Sequence, residues 1–487
     1  MKKASFAFVA VAALGIGLAA QDRVDFSVIE KIRAEGMERS KILETFDYLV
    51  TTIGPRLTNS PAHKRAIAWT QEQFKAYGLS DVHAEPWQFG RGWTLNKISI
   101  EMVEPRYMPL IGYPQGWSPS TAGRIVATPV LVPGLEDAAM KGEAGKLKGA
   151  ILFTSPIQQY AIRADRPAAS GDLKPPDPRP AGPPQLNAER LAVLKAEGVA
   201  VTIQPNIGEH GTLFVTGRDQ AANAVPSIIL ASEHYNLIAR MLQQKIPVKL
   251  AVELQTTFDE SDRNTHNVIA ELPGGDLKDE IVMVGAHLDS WHTGTGATDN
   301  ADGSATVLEA MRILKALNIR PRRTIRAALW AGEEQGLLGS KAYVTQHLAG
   351  DKNKAARDKF SVYFNLDNGY PPISGFYMEN NEPARAIMTE WLKPMANIGA
   401  IMPAPGHIGA TDHLSFLDVG VPGFQAVQEY VNYDVRTHHT NMDTAERIDP
   451  NALKQAATVM AAVLYQASMR EGTFPKPAPP KPAGTKQ

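Results

Sequence analysis

The sequence predicts an α/β fold, a mostly parallel mixed sheet flanked by helices, with a β-rich unit inserted ahead of most of the sheet. Three observations predict it. From Asn264 onward, strand-like apolar runs alternate with helically spaced ones, the pattern of parallel strands joined by crossover helices. Four of those runs stop at acidic or imidazole residues, and open α/β sheets bind ligands just outside the carboxyl ends of their strands. Residues 118–255 differ in texture, with short β runs, short helical patterns and no cluster of ligand-type side chains.

At 487 residues the chain is too long for one ordinary domain. We expect a main domain assembled from 24–117 and 256–470, with an insert over 118–255. Hydrophobic residues make up 44% and the net charge is -1, so the chain shows no nucleic-acid footprint and no trap for acidic substrates. There is no cysteine, which excludes disulfides and thiolate metal sites. Any metal must be held by imidazole and carboxylate.

In chain order, Lys2 and Lys3 precede an apolar run from Ala4 to Leu18, and Gly17-Leu18-Ala19 offers a small-x-small cleavage site. Residues 1–19 are therefore expected to be a signal peptide, with the protein exported to the periplasm or beyond. The run is short for a membrane span, no cysteine near Ala19 offers a lipid attachment point, and no later stretch is apolar enough to cross a bilayer. Val28 to Val50 has helical spacing. After Gly54-Pro55-Arg56-Leu57, Ser60 suits an N-cap and Pro61 a first helical turn, for a helix ending at Gly78. Strands are expected near 82–87 and 93–103. Arg56 and Arg91 could touch a substrate, but read first as solvated surface arginines. Within the insert, β runs fall at 124–132, 150–153, 199–203 and 227–230, with helices at 187–197 and 233–243. Residues 166–185 are Pro-rich and read as an extended loop or a disordered segment, and 471–487 as a disordered Pro/Lys-rich tail.

The stretch Ile281 to Gly303 organises the rest. A buried strand, 281–286, ends in His287 and Asp289, then a Gly/Thr-rich loop carries Asp299, Asn300 and Asp302. Helical spacing follows through Val307, Leu308, Met311, Leu314 and Leu317. A strand at 324–330 ends in Glu333-Glu334, another at 360–366 ends in Asp367, and one at 421–427 precedes His438-His439. A long amphipathic helix, 450–469, covers the sheet. If the strands are parallel, their carboxyl ends share one edge and these groups converge. Four carboxylates crowded without cations would not all stay ionised. Two dications against three ligand carboxylates and a bridging hydroxide sum close to neutral. Each signal alone is commonplace: a His-x-Asp tripeptide, an acidic helix start, an Asp in a turn, a surface His pair. Their conjunction at strand ends is not.

These residues resemble the co-catalytic di-zinc exopeptidases, the family of bacterial leucyl aminopeptidase and carboxypeptidase Q. The resemblance rests on His287-Leu288-Asp289, Gly296-Ala297-Thr298-Asp299-Asn300, Gly332-Glu333-Glu334, Asn365-Leu366-Asp367 and His439-Thr440-Asn441-Met442-Asp443-Thr444, with Thr411-Asp412-His413 behind them. It implies a zinc-peptidase sandwich with a protease-associated insert and two Zn²⁺ ions. His287 and Asp367 would hold one ion, Glu334 and His439 the other, and Asp299 would bridge them. Asp289 would orient His287, and Asp443 would do so for His439. Glu333 would act as general base, and Asp299-Asn300 would be a cis peptide. His439 is preferred over His438 for its spacing to Asp443-Thr444. Asp412, His413, Tyr430 and Tyr433 are candidate substrate contacts.

The implied activity is a secreted zinc exopeptidase acting on short peptides, either an aminopeptidase or a dipeptidase in the carboxypeptidase Q manner. No nucleic acid and no stable membrane anchor are expected, and a homodimer is left open. A glutaminyl cyclase shares the fold with one zinc, and the Asp367 and His439 motifs beside Glu333-Glu334 favour hydrolysis instead. A related exopeptidase family with a lid domain interrupts its ligand series, whereas here the insert precedes His287. A non-catalytic binding module on the same fold would require lost ligands, and none is lost.

Overall fold

The computed structural model describes residues 24–132, 145–158, 164–166, 186 and 188–476. The expected signal peptide, most of the Pro-rich stretch and residues 477–487 lie outside these.

The central sheet contains β1 (Ser80–Gln88), β2 (Asn264–Leu272), β3 (Leu277–His287), β4 (Arg323–Trp330), β5 (Phe360–Asn365), β6 (Tyr370–Tyr377), β7 (Met402–Ala404) and β8 (Gly423–Glu429). Their spatial order is β1-β2-β4-β3-β5-β8-β6-β7. The middle four, β4, β3, β5 and β8, run parallel. Antiparallel pairings bring β1 and β2 onto one side and β6 onto the other. Period-2 alternation splits the core into two layers. Val282, Val284 and Ala286 of β3 face one layer, with α1 (Phe26–Glu38), α2 (Pro61–Ala76), α3 (Asp302–Ala316) and α4 (Pro450–Met469). Met283 faces the other, among Trp330, Tyr343, Tyr363 and Phe416.

Local chemistry sets the helix ends. Ser60 Oγ accepts from His63 N at 3.2 Å with Pro61 in the first turn, and Gly78 closes the other end at φ +81°. The helical spacing expected across 28–50 is broken, however, because α1 stops at Glu38. Ser40 Oγ and Lys41 N instead donate to the buried Glu309 carboxylate at 2.8 and 3.0 Å, which bends the chain onto α3. The start of the expected tail is also packed: Phe474 is buried against Trp391 and Phe424, and Pro475 accepts from Asn381.

The second unit has two sheets. Strands 92–104 and 249–259 form its longest antiparallel ladder, so its sheets reach back before residue 118 and on past 255. A second sheet stacks 130–131, 151–153, 201–205 and 227–230 in parallel, with 112–114 antiparallel at the edge. Met102, Phe153, Ile203, Tyr235 and Leu250 share its core.

Candidate metal centre

The four parallel strands end at one edge, and that edge gathers the ligand-type residues. His287 is the last residue of β3. Its Nδ1 lies 2.9 Å from the carbonyl oxygen of Asp289. A carbonyl only accepts, so Nδ1 carries the proton and the Nε2 lone pair points into the site. There Nε2 sits 3.3 Å from Asp299 Oδ1 and 3.4 Å from Asp367 Oδ1. On the other side His439 Nε2 lies 3.3 Å from Asp299 Oδ2 and 2.9 Å from Glu334 Oε2. Asp299 thus faces one imidazole with each of its oxygens. His438 stacks on His439, ring centroids 3.8 Å apart, and offers a third imidazole near Asp299.

These contacts lack hydrogen-bond geometry. His287 Nε2, Asp299 Oδ2 and both Glu334 carboxylate oxygens are buried without a hydrogen-bond partner among the described residues. Buried polar atoms are almost always satisfied. Convergent orphaned N and O donors fit a bound cation, and an all-N/O set with imidazoles fits a first-row divalent ion.

The electrostatics point the same way. Burial, reinforced by neighbouring carboxylates, pushes the pKa values of Glu333, Glu334 and Asp302 well up, and those of Asp412 and Asp443 to about 7. Burial opposes charge on His287, yet Asp367, Asp289 and Asp299 outweigh it and hold that imidazole well above its usual range. Asp367 and Asp289 are correspondingly held low by His287 against the cost of burial.

Several placements differ from expectation. The Asp289 carboxylate lies 3.7 Å from His287 Nδ1, so the nearer Asp289 carbonyl orients the ring. The carboxylate instead accepts from Thr58 Oγ1 at 2.7 Å and from Glu333 N at 3.3 Å, tying the 333–334 turn to β3. Asp443 accepts from Thr298 N, Thr298 Oγ1 and Asp299 N at 2.7, 2.9 and 3.2 Å, so it fixes the loop of Asp299. That loop contains the cis peptide Asp299-Asn300. Asp412 and His413 are fully enclosed behind the centre. The Tyr430 hydroxyl is occupied by Tyr377 at 3.0 Å, and its ring lies under the Arg166 guanidinium. Tyr433 is better placed: its hydroxyl is buried without a hydrogen-bond partner among the described residues, and burial with the Asp299 and Asp367 charges holds its pKa well up.

Arg56 is neither a surface residue nor a substrate contact. It is fully buried beneath the centre and donates to the carbonyls of Leu288, Gly54, Thr295 and Gly296 at 2.8–2.9 Å. Burial lowers its pKa to about 10, offset in part by Asp443, Asp289, Asp299 and Glu334. A lone arginine after a breaker gives no sequence signal of this. Arg91 pairs with Asp219 and Glu260.

The insert also reaches the centre, which its composition did not reveal. Val215 N donates to the His439 carbonyl at 3.0 Å, Phe214 forms a β-bridge with Thr440, and the Phe214 and His439 rings lie 5.2 Å apart. Asn441 Oδ1 accepts from Leu213 N at 2.7 Å. Arg166 grips both oxygens of Asp434 at 2.8 Å, and Asp165 accepts from Asn432 N and Val435 N. His439 itself has φ +59°, a left-handed conformation that needs such support. A cavity of about 250 Å³ between the units is lined by Glu334, Trp291, Trp117, Gln115 and Arg218.

The model of peptidase family M28 matches residues 267–464. The chain is 29% identical to carboxypeptidase Q of Bos taurus over 91% of this chain and 88% of that one. It is also similar to the structure of a peptidase M28 precursor from Shewanella amazonensis SB2B, with 27% identity, TM-score 0.71, and coverage of 94% and 99% of the two chains. A zinc aminopeptidase from Bacillus subtilis shares the fold at 20% identity and TM-score 0.61, covering 90% of this chain and 97% of its own. The matched segment spans every metal-ligand candidate of the centre, and over that segment the chain is similar to peptidase family M28, which makes it a hydrolase of peptide bonds.

Proposed function

We propose that the chain is an exported zinc exopeptidase that holds two Zn²⁺ ions and cleaves short peptides. The observation that carries this reading is Asp299, whose two oxygens face two imidazoles 3.3 Å away on opposite sides. His287 and Asp367 would hold one ion, Glu334 and His439 the other, with Asp299 shared. When bound, such ions polarise a carbonyl and lower the pKa of water to about 7.

The chain's own residues do the rest. Glu333 takes a proton from the attacking water as the new C–O bond forms, then delivers it to the amine as the C–N bond breaks. Its backbone N–H, held by Asp289, fixes the carboxylate's starting point. The Tyr433 hydroxyl donates to the oxygen that gains charge. Arg56 supplies fixed positive charge under the loop. The complete five-ligand set argues against a one-zinc cyclase.

The insert caps the cleft, and the cavity of about 250 Å³ is below the roughly 300–1,000 Å³ of pockets for drug-sized ligands. That favours very short substrates. End-to-end similarity to carboxypeptidase Q, against a match over 40% of this chain for an aminopeptidase of Pseudomonas aeruginosa, favours the dipeptidase reading. The test is a panel of free dipeptides, N-acetylated dipeptides and amino-acid amides, with chelator and with zinc restored. Free dipeptides should be cleaved, chelator should stop turnover, and zinc should restore it. Chelator-insensitive turnover contradicts the zinc reading. Cleavage confined to amides and longer peptides with a free amino end contradicts the dipeptidase reading.

A further inference from the structure

We infer that Glu379, His407 and His413 form a separate binding site for one divalent first-row metal ion such as Zn²⁺. The three share no residue with the candidate catalytic centre, and one ligand atom from each lies within 4.8 Å of the others. Glu379 follows β6, and its carboxylate is fully buried. One oxygen faces His407 Nδ1 at 2.5 Å and the other faces His413 Nε2 at 3.3 Å.

A plain ion pair explains only half of this. It satisfies His407, which hydrogen bonds to Glu379. It does not satisfy His413, which is fully buried and whose two ring nitrogens have no hydrogen-bond partner among the described residues. A fully buried imidazole with both nitrogens unpartnered among the described residues, turned toward a carboxylate without hydrogen-bond alignment, fits a shared cation. Zinc bond lengths of about 2.0–2.2 Å put tetrahedral ligand atoms roughly 3.3 Å apart. The His413–Glu379 separation is 3.3 Å, while the 2.5 Å His407–Glu379 hydrogen bond would open, or His407 would ligate through its other nitrogen, as the ion enters. Two imidazoles and a carboxylate, with no thiolate, suit zinc, cobalt, nickel or copper and not calcium or magnesium. His407 is 44% exposed, so the site opens to solvent for ion entry and for water as a fourth ligand. The bound ion would tie the end of β6 to the 407–413 segment that carries Asp412.

The test uses the full-length protein, stripped with chelator, dialysed and titrated with zinc chloride by calorimetry, with metal content read by mass spectrometry. Wild type should hold one equivalent more than His407→Ala and than Glu379→Gln. His407→Gln keeps a donor for Glu379 while removing the metal ligand, and should also lose that equivalent. The difference is independent of how many ions the catalytic centre holds, so this site and that one fail separately. Since His407 is half-exposed, its variants are expected to fold. Equal zinc content in wild type and the His407 variants overturns the inference. Loss in His407→Ala but not in His407→Gln overturns it too, because the pair would then be a hydrogen-bonded clamp.

Discussion

Seven carboxylates, Asp289, Asp299, Glu333, Glu334, Asp367, Asp412 and Asp443, surround the centre, and the buried cation Arg56 lies beneath them. At this scale the acids were legible and the arginine was not. One acid after an apolar run is commonplace, but four apolar runs in series that each stop at a ligand-type residue advertise a shared edge. An arginine looks the same in sequence whether it meets water or four carbonyls. Glu333 is the residue whose role separates chemistry from binding. Its carboxylate is absent from the set facing the imidazoles, so Glu333→Gln should retain zinc while kcat falls roughly 10²–10⁴-fold. Steady-state kinetics paired with metal analysis checks this, and unchanged turnover would assign the base elsewhere.

At the scale of elements, the parallel quartet β4, β3, β5 and β8 was readable because each strand is a short apolar run with a polar stop. Its packing explains one glycine. The Trp330 Nε1–H donates to the Tyr363 hydroxyl at 2.7 Å across β3, where a Cβ on Gly285 would lie 2.4 Å from that oxygen. The hydroxyl then donates to Asn365 at 2.6 Å, so the strand ends are locked together beneath the centre. The insert's grip on the 430–443 loop could not be read in advance. It consists of backbone and side-chain contacts between residues more than two hundred positions apart, such as Phe214 with Thr440, and no local pattern records them. The same grip makes a prediction. Asn441→Ala removes the acceptor for Leu213 N and loosens the loop of His439. Zinc affinity at the Glu334/His439 position should fall roughly 10–100-fold, the usual effect of removing a support behind a ligand. The His287/Asp367 position should keep its affinity. Calorimetric titration resolving two steps checks this, and equal weakening of both would contradict it.

For the whole molecule, the crowded acids make stability depend on pH and metal together. Burial raises the pKa of Asp412 and of Asp443 to about 7, above the unfolded value of about 3.9. Between those values the folded chain holds more protons than the unfolded one, so stability falls as pH rises from about 4 to about 7. His287, raised by its carboxylate neighbours, loses its contribution in the same direction as pH climbs above its unfolded value. Bound dications replace the protons. Zinc should therefore raise Tm more at pH 8 than at pH 5.5, as read by calorimetry on stripped and reloaded protein. A smaller zinc effect at pH 8 would mean that these acids are not stabilised by the ions. The most direct test of the shared-aspartate centre is anomalous diffraction at the zinc edge from crystals of reloaded protein. Two peaks should flank Asp299, about 3.5–4 Å apart, one beside His287 and Asp367 and one beside Glu334 and His439. A single peak, or none touching Asp299, would contradict the account.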